Sequence, residues 1–289
     1  MILIAGGSDN NYNRLASVEV ISDDARNNIQ LPDLPETITW SSMINHNGVI
    51  LLCGGENNGQ TCLKMEEKGW NHHSNLKQKR SYASAVATNT TTFIFGGPMS
   101  KNTFEYLEQG SSSNWQEGNE IIPDGFIGGC IIAISDEEVW LIGGYGTYSR
   151  ILSFNTTSHK FTEVNTIKLN EGRYAQRCIQ IPGTNQIIVS GGVDSSSNVL
   201  DSAEIIDFAS KSVNNTGKMN YKRAYHGIGI LTLDGEYQVS ILGGYVGNNS
   251  LDSVEVYDQE TQNWTGIKPS QARYNFGFLT INRDDIPWL

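Results

Sequence analysis

A short apolar run that ends in two glycines occurs six times in this chain of 289 residues. The first glycines of successive pairs are 42 to 52 residues apart, and the runs span 2–7, 50–55, 92–97, 139–144, 187–192 and 239–244. A period of this length is typical of a chain built from many copies of one supersecondary unit. The repeat therefore constrains the fold more strongly than any other feature of the sequence.

Each repeat contains more than the two glycines. A polar loop and an alternating strand follow, and segments 17–21, 202–206 and 253–257 align without gaps. Each unit then has a strand with a large residue, followed by a strand that starts with an aromatic residue, namely Trp40, Tyr82, Phe126, Tyr174, Tyr225 or Tyr274. These short stretches have strand periodicity, and none has a convincing helical period.

Six units of four short strands predict an all-β fold, a six-bladed β-propeller of four-stranded antiparallel sheets. One such sheet cannot bury both faces alone, whereas a ring buries each face against a neighbour. We expect one domain over 1–289, with a short tail at 282–289. The predicted repeats span 1–31 plus 272–281, 38–72, 80–116, 124–164, 172–213 and 223–265.

The repeat closely resembles the kelch motif. The marks of that family are the diglycine and, further on, a Tyr and a Trp separated by six residues. Tyr257 and Trp264 fit this spacing, and Phe154 with Phe161 is an aromatic variant. The resemblance implies that the C-terminal strand closes the ring by pairing with residues 1–31. Closure removes an exposed sheet edge that would otherwise invite aggregation.

Composition narrows the classes of function. The chain has 20 Lys and Arg against 31 Asp and Glu, a net charge of −11, which argues against nucleic acid as the main partner. No apolar run is long enough to span a membrane. Met1 leads directly into an apolar strand without signal-peptide features, which favours a mature or partial product lacking its targeting segment.

The four cysteines form two spatially plausible pairs. Cys53 and Cys62 would face each other in a hairpin centred near residues 57–58, and Cys130 and Cys178 occupy equivalent innermost-strand positions of adjacent blades. Disulfides indicate an oxidising compartment, and four buried free thiols are the alternative. The cysteine spacing around the second diglycine resembles secreted kelch-type proteins of invertebrate animals, although those often carry a further cysteine near Ile29 or Gln30.

Five N-glycosylation sequons are compatible with the secretory pathway. They begin at Asn89, Asn155, Asn214, Asn248 and Asn263. Five is the number that the high Asn, Ser and Thr content gives by chance, so the sequons permit glycosylation without requiring it.

The strand-start aromatics and nearby arginines predict a ligand-binding mouth at one end of the ring. The candidate residues are Arg80, Tyr82, Arg173, Tyr174, Arg223, Tyr225, His226, Arg273 and Tyr274. Aromatic and arginine residues are enriched at binding hot spots, and kelch-type ubiquitin-ligase adaptors, which the fold resembles, bind acidic peptides with such loops. The expected partner is a protein or glycan, with an acidic one favoured.

A structural role for the same arginines is the competing interpretation. Their guanidinium groups would pair with glutamates that recur on the third strand, at Glu19, Glu105, Glu204 and Glu255. The units of Trp40 and Phe126 lack the arginine, and Leu63 and Leu152 replace the glutamate in two units. We take these losses to fall in different blades, which argues against strict pairing. The aromatics then support the core.

Catalytic patterns are sparse, so no enzyme activity, cofactor or metal site is expected. The dipeptide Tyr225-His226 is similar to copper ligands of galactose oxidase, which has a kelch-type propeller, but the remaining ligand set has no match here. The predicted function is a non-catalytic binding module, secreted or on a cell surface. The alternative is an intracellular kelch protein that recognises substrates or the cytoskeleton, and an oxidase is a remote third.

Overall fold

The computed structural model describes residues 1–22, 28–56, 59–111, 113–267 and 271–288. Its strands form six four-stranded antiparallel sheets, numbered here as blades 1 to 6, each described from its innermost strand outwards. Blade 1 contains Gly277–Thr280, Ile2–Ala5, Val18–Ile21 and Asn28–Leu31; blade 2 contains Ser41–His46, Val49–Gly54, Thr61–Glu66 and Gly69–Asn75; blade 3 contains Ser84–Ala87, Thr91–Phe95, Phe104–Glu108 and Gln116–Glu117.

The second half of the ring repeats the arrangement. Blade 4 contains Cys130–Ala133, Glu138–Ile142, Ile151–Asn155 and Phe161–Glu163; blade 5 contains Arg177–Gln180, Gln186–Ser190, Ala203–Asp207 and Ser212–Asn215; blade 6 contains Gly227–Leu233, Glu236–Leu242, Val254–Asp258 and Asn263–Gly266. A small hairpin of Tyr245–Val246 and Asn249–Ser250 and a 3-10 turn at Arg283–Asp285 complete the described elements. No helix in the described part of the chain has the length and apolar character needed to cross a bilayer.

The ring closes as predicted. Gly277–Thr280 pairs antiparallel with Ile2–Ala5, so the two ends of the chain share blade 1. The six innermost strands contact one another in a closed cycle, which surrounds a central channel. The all-β, six-bladed architecture expected from the repeat is thereby confirmed.

Hydrophobic clusters fill the interfaces between adjacent blades. For example, Leu52 and Leu63 of blade 2 pack with Leu3 and Val20 of blade 1. Five further clusters occupy the remaining interfaces among the described residues. Because each fully buried aliphatic side chain contributes about 1.5–3 kcal/mol, neighbouring blades rather than single sheets carry the stability.

The Tyr and Trp separated by six residues are cross-strand partners. Tyr257 lies opposite Trp264 on the third and fourth strands of blade 6, with ring centroids 5.1 Å apart. Phe154 and Phe161 occupy the same places in blade 4, at 4.8 Å. The spacing therefore reflects a hairpin register, in which two large rings close the outer edge of the blade.

The diglycine links each blade to the next. The amide of its second glycine donates to a carbonyl of the next blade's connecting segment, as from Gly97 to Phe126 at 3.0 Å. At the first glycine, Gly96, φ is +71° and an added Cβ would lie 1.9 Å from that same carbonyl oxygen. The repeat conserves two glycines because the backbones of neighbouring blades touch there.

Candidate ligand-binding face and central channel

A belt of six backbone hydrogen bonds encircles the channel entrance at the diglycine end of the ring. Each amide donates to the carbonyl of the equivalent residue in the preceding blade, at 2.6 to 3.4 Å, through Trp40, Tyr82, Gly128, Ala175, Tyr225 and Asn275. All six residues have φ between +54° and +65°. Non-glycine residues seldom adopt this conformation, so the closed belt holds it in place.

This belt corrects the expected alignment of the strand-start aromatics. Trp40, Tyr82 and Tyr225 are equivalent, whereas Tyr174 and Tyr274 precede the belt residue by one position and Phe126 by two. The six aromatic residues were expected to be structurally equivalent because their side chains are of the same type. The belt shows that backbone conformation, rather than ring type, is what repeats.

Three aromatic rings converge on the channel axis from the belt. The Trp40 ring centroid lies 4.6 Å from that of Tyr82 and 5.2 Å from that of Tyr225, and the two tyrosine rings are 5.7 Å apart. Burial raises the pKa of both tyrosines, so their hydroxyls stay protonated at neutral pH. The three rings cover the channel at this end.

Further tyrosines surround these three rings. Tyr145 contacts Tyr174 with centroids 5.4 Å apart, and Tyr245 contacts Tyr274 at 4.9 Å. The Tyr12 and Tyr245 hydroxyls are 3.4 Å apart. We define the mouth face as the surface that carries Tyr12, Trp40, Tyr82, Tyr145, Tyr148, Tyr174, Tyr225, Tyr245 and Tyr274.

Sequence reasoning missed four of these residues, Tyr12, Tyr145, Tyr148 and Tyr245. They lie in the loops that follow the diglycines, and Tyr145 and Tyr245 directly follow Gly144 and Gly244. A tyrosine close after a diglycine was therefore the sequence signal that could have identified these residues. Tyr12 and Tyr145 are 59% and 58% exposed, which makes them accessible to a partner.

The four arginines predicted to line the mouth are buried in the structure rather than exposed at the mouth. Their residues are 0 or 1% exposed, and each side chain contacts a buried glutamate of its own blade: Arg80 with Glu105, Arg173 with Glu204, Arg223 with Glu255 and Arg273 with Glu19. A guanidinium group desolvated in this way cannot form a positive funnel at the surface.

Each of these arginines also binds the backbone around the diglycine. In blade 3, the Arg80 Nη1 atom donates to the Gly96 carbonyl at 2.9 Å and to the Thr103 carbonyl at 3.1 Å. The Glu105 carboxylate accepts the amides of Lys77 and Gln78 at 2.6 and 3.0 Å. The pair therefore joins the incoming segment, the diglycine and the third strand of one blade.

The losses of arginine and glutamate coincide blade by blade, contrary to the expectation. The amides of Gly7 and Gly97 donate to Ile38 and Phe126 where other blades present the arginine carbonyl. Ile38 packs in one cluster with Leu63, and Phe126 packs in another with Leu152. Blades 2 and 4 therefore replace the whole ion pair with an apolar pair.

His226 does not fit a copper site or a surface contact. It is 0% exposed, and its Nε2 atom lies 2.9 Å from the Ser190 hydroxyl. Burial, with the nearby Arg223, Arg177 and Arg173, holds the pKa of His226 well below its usual value. Among the described residues, no group of three His, Cys, Asp or Glu side chains could hold a metal ion.

The four cysteines form the two predicted pairs. Cys53 is bonded to Cys62 across the second and third strands of blade 2, and Cys130 is bonded to Cys178 across the innermost strands of blades 4 and 5. Residues 57–58, the expected centre of the first hairpin, lie outside the described residues.

The sequons occupy different environments. Asn89, Asn214, Asn248 and Asn263 are exposed, whereas Asn155 is half-buried. The Asn89 amide nitrogen donates to Asp136 at 2.9 Å, so attachment of a glycan there would break a side-chain hydrogen bond. Use of the sequons remains a prediction.

Comparisons with known proteins agree with the repeat. A model of the Kelch motif matches residues 241–271. The chain is 26% identical over 153 residues to a kelch repeat-containing protein of Dictyostelium discoideum, covering 51% of this chain and 23% of that protein. It is 30% identical over 108 residues to beta-scruin of Limulus polyphemus, covering 33% of this chain and 12% of that protein.

Among solved structures, the chain is similar to a fungal alcohol oxidase of the AA5 family in complex with copper. The TM-score is 0.67 at 14% identity, over 94% of this chain and 63% of that one. Identity this low shows a shared fold. The chain spans less than a quarter of either curated relative that it matches. The closed ring of six four-stranded blades makes this chain a six-bladed β-propeller, and its six diglycine repeats and the motif matched at residues 241–271 are similar to those of kelch-repeat proteins.

Proposed function

We propose that this protein is a binding module that holds a protein or a glycan against its mouth face. The supporting observation is the gathering of nine aromatic side chains around one end of the channel. Tyrosine and tryptophan provide rigid contact area together with a polar group, and they dominate the binding energy of many interfaces. The backbone belt positions the inner three rings before any ligand arrives.

The reason for expecting an acidic ligand disappears with the burial of the four arginines. At the mouth, the exposed Arg14 is already paired with Glu56 at 2.5 Å. The tyrosine hydroxyls and ring faces suit sugar hydroxyls and apolar or amide-rich protein surfaces equally well. Charge therefore does not favour one class of ligand at this face.

A screen followed by paired variants tests the proposal. The protein would be applied to a glycan array and to a panel of cell-surface ectodomains. The ligand found would then be titrated against the Tyr12→Ala, Tyr145→Ala double variant. Loss of two exposed aromatic anchors should weaken binding by roughly tenfold or more.

Tyr237→Ala is the matched control. Tyr237 is 63% exposed and lies at the start of the second strand of blade 6, at the end of the ring opposite the diglycines. Its loss should leave the Kd unchanged. Binding that survives the double variant and is lost in the control would place the ligand on the other face.

We also propose that the protein works in an oxidising compartment. Both pairs of cysteines are bonded, and structural disulfides persist outside the reducing cytosol. The intact mass of protein from its native source, before and after reduction with alkylation, tests this point. Four thiols alkylated without reduction would favour the intracellular alternative instead.

A further inference from the structure

A cavity of about 300 Å³ lies inside the channel below the three covering rings. Its walls come from the innermost strands, with apolar side chains such as Met43, Ile131, Ile179, Ile228 and Leu279. Arg177 is the one charged residue among its lining residues. Arg177 is half-buried there, and a partly desolvated cation without a paired carboxylate needs a physical explanation, because removing an unpaired charge from water is unfavourable.

Arg177 has no ion-pair partner in the described part of the chain. Its Nε atom donates to the His226 carbonyl at 2.9 Å, and its Nη1 atom donates to the Gln176 carbonyl at 3.1 Å. The guanidinium carbon lies 5.2 Å from the centroid of the Phe278 ring. These neutral contacts orient the group without neutralising it, and they leave the Nη2 atom without a protein acceptor.

Arg177 differs from the four fully buried arginines. Arg80, Arg173, Arg223 and Arg273 each lie against a buried carboxylate. Burial lowers the pKa of Arg177, and the neighbours that oppose this are the phenols of Tyr82 and Tyr225 rather than a carboxylate. Arginine nevertheless stays protonated in proteins, so the cavity holds an uncompensated positive charge.

A second donor near the cavity also lacks an acceptor. The Tyr82 hydroxyl is buried and has no hydrogen bond of good geometry, although it lies close to the Tyr225 phenol. The buried Ser41 hydroxyl, in the cavity wall, is likewise without a partner. Such unsatisfied groups are uncommon in native proteins, so these two hydroxyls, like Arg177, are available to a group that enters the cavity.

We propose that the channel binds a small organic carboxylate, with its charged group against Arg177 and its apolar body along the channel walls. One negative charge balances the single guanidinium group, and the free Nη2 atom supplies charge-assisted hydrogen bonds. The aliphatic walls select a ligand with an apolar body over a bare anion. A second cavity, with Asn47, Thr88 and Ser135 among its lining residues, lies at the opposite ends of the innermost strands of blades 2, 3 and 4.

The experiment uses the whole chain with 3-methylbutanoate as the probe, titrated by calorimetry at fixed ionic strength. Binding should occur to the wild-type protein and should weaken by roughly tenfold or more in Arg177→Met, because a charge-assisted hydrogen bond is lost. Arg150→Met is the matched control, since it removes the same charge from a side chain that pairs with the exposed Asp124. That variant should bind the probe as the wild type does.

Two further probes need no variant. The neutral 3-methylbutanamide should bind the wild-type protein at least roughly tenfold more weakly than the acid, since it lacks the charge. Sodium bromide should bind more weakly than the acid because it has no apolar body. Equal affinities for acid and amide, full affinity in Arg177→Met, or binding of bromide alone would each overturn the proposal.

Discussion

The contact between the incoming segment and the third strand differs between two groups of blades. In blades 1, 3, 5 and 6 it is a buried ion pair, and in blades 2 and 4 it is an apolar contact. The former bury an arginine from the incoming segment against a glutamate on the third strand. The latter place Ile38 against the cluster of Leu63, and Phe126 against that of Leu152. Both members of the pair change together, because either charge alone would be buried without compensation.

The comparison also explains secondary differences between the blades. In blade 4, where the arginine is missing, the Thr147 hydroxyl donates to the Gly143 carbonyl at 2.8 Å and replaces one arginine contact. Each disulfide involves an apolar blade, since Cys53 and Cys62 lie in blade 2 and Cys130 lies in blade 4. The apolar blades therefore have fewer directional polar contacts at the diglycine and more covalent ties.

The largest expected effect is the loss of one charged partner. Arg223→Met removes the guanidinium group that contacts Glu255 and the Gly243 carbonyl. The uncompensated carboxylate should lower the free energy of unfolding by about 3–5 kcal/mol, measured by denaturant titration. Arg150→Met, with an exposed partner, should lower it by less than about 1 kcal/mol. Equal losses would remove the distinction between buried and exposed pairs.

Removal of either disulfide, each of which involves an apolar blade, should lower the free energy of unfolding. The Cys130–Cys178 bond closes a loop with a sequence separation of 48, and the Cys53–Cys62 bond one of 9. From loop-closure entropy, the paired alanine substitutions should destabilise the protein by about 4 and about 3 kcal/mol, respectively. Thermal unfolding of both variants checks the order. A larger effect for the shorter loop would show that local strand pairing, rather than chain entropy, dominates.

The diglycine contact should be independent of the type of blade that it touches. Gly96 faces Phe126 of an apolar blade and Gly191 faces Arg223 of a charged one, with added Cβ atoms 1.9 and 2.3 Å from the respective carbonyl oxygens. Alanine at either position should lower the free energy of unfolding by at least about 2 kcal/mol.

Gly146→Ala is the control for this pair, because Gly146 also has a positive φ but no atom lies within 4 Å of the added Cβ. That variant should lose only about 1 kcal/mol, from backbone strain alone. Urea titrations of the three variants make the comparison. Unequal effects at Gly96 and Gly191 would mean that the contact depends on the charged pair.

Replacement of both members of a buried ion pair should lower the free energy of unfolding much less than replacement of one member. Arg223→Phe combined with Glu255→Leu gives blade 6 the residue types that blade 4 has at these two positions. Because no charge is left unpaired, the free energy of unfolding of the double variant should lie within about 1–2 kcal/mol of the wild-type value. A loss as large as that of Arg223→Met would show that the polar contacts to the diglycine matter more than the removed charge.

The smallest expected effect is the pH dependence of the free energy of unfolding that arises from His226, which lies among buried arginines. Burial and three nearby arginines lower the pKa of His226, so the folded state resists a proton that the unfolded state accepts. Stability from this residue is complete above pH 6.5 and falls by about 1.4 kcal/mol per pH unit below it. Unfolding of the wild type and His226→Gln between pH 7.5 and 5.5 should give a shallower slope for the variant. Identical slopes would assign the pH dependence to other groups.

The site was predicted less well than the fold, for reasons that particular residues make clear. Phe126 and Tyr174 were aligned with Tyr82 by side-chain type, but the belt places Gly128 and Ala175 there. In every blade the belt residue lies two positions after the residue whose carbonyl accepts the second glycine's amide, as Tyr82 follows Arg80 and Ala175 follows Arg173, so an aromatic residue is simply a poorer guide to equivalence than this constant spacing. The match between the missing arginines and the missing glutamates was already present in the sequence, because the predicted repeat 38–72 contains both Trp40 and Leu63 and the repeat 124–164 contains both Phe126 and Leu152.

The sequence by itself determined the repeating blade, the ring closure and the cysteine pairs, because strand alternation and diglycine spacing are local and recur six times. Only the tertiary structure decided which charged groups remain available to a partner. Burial of Arg223 depends on Glu255, 32 residues away, while Arg177 enters the channel without a carboxylate. Desolvation is a property of the assembled ring, and the gathering of tyrosines from separate loops at one face exists only after the ring has closed.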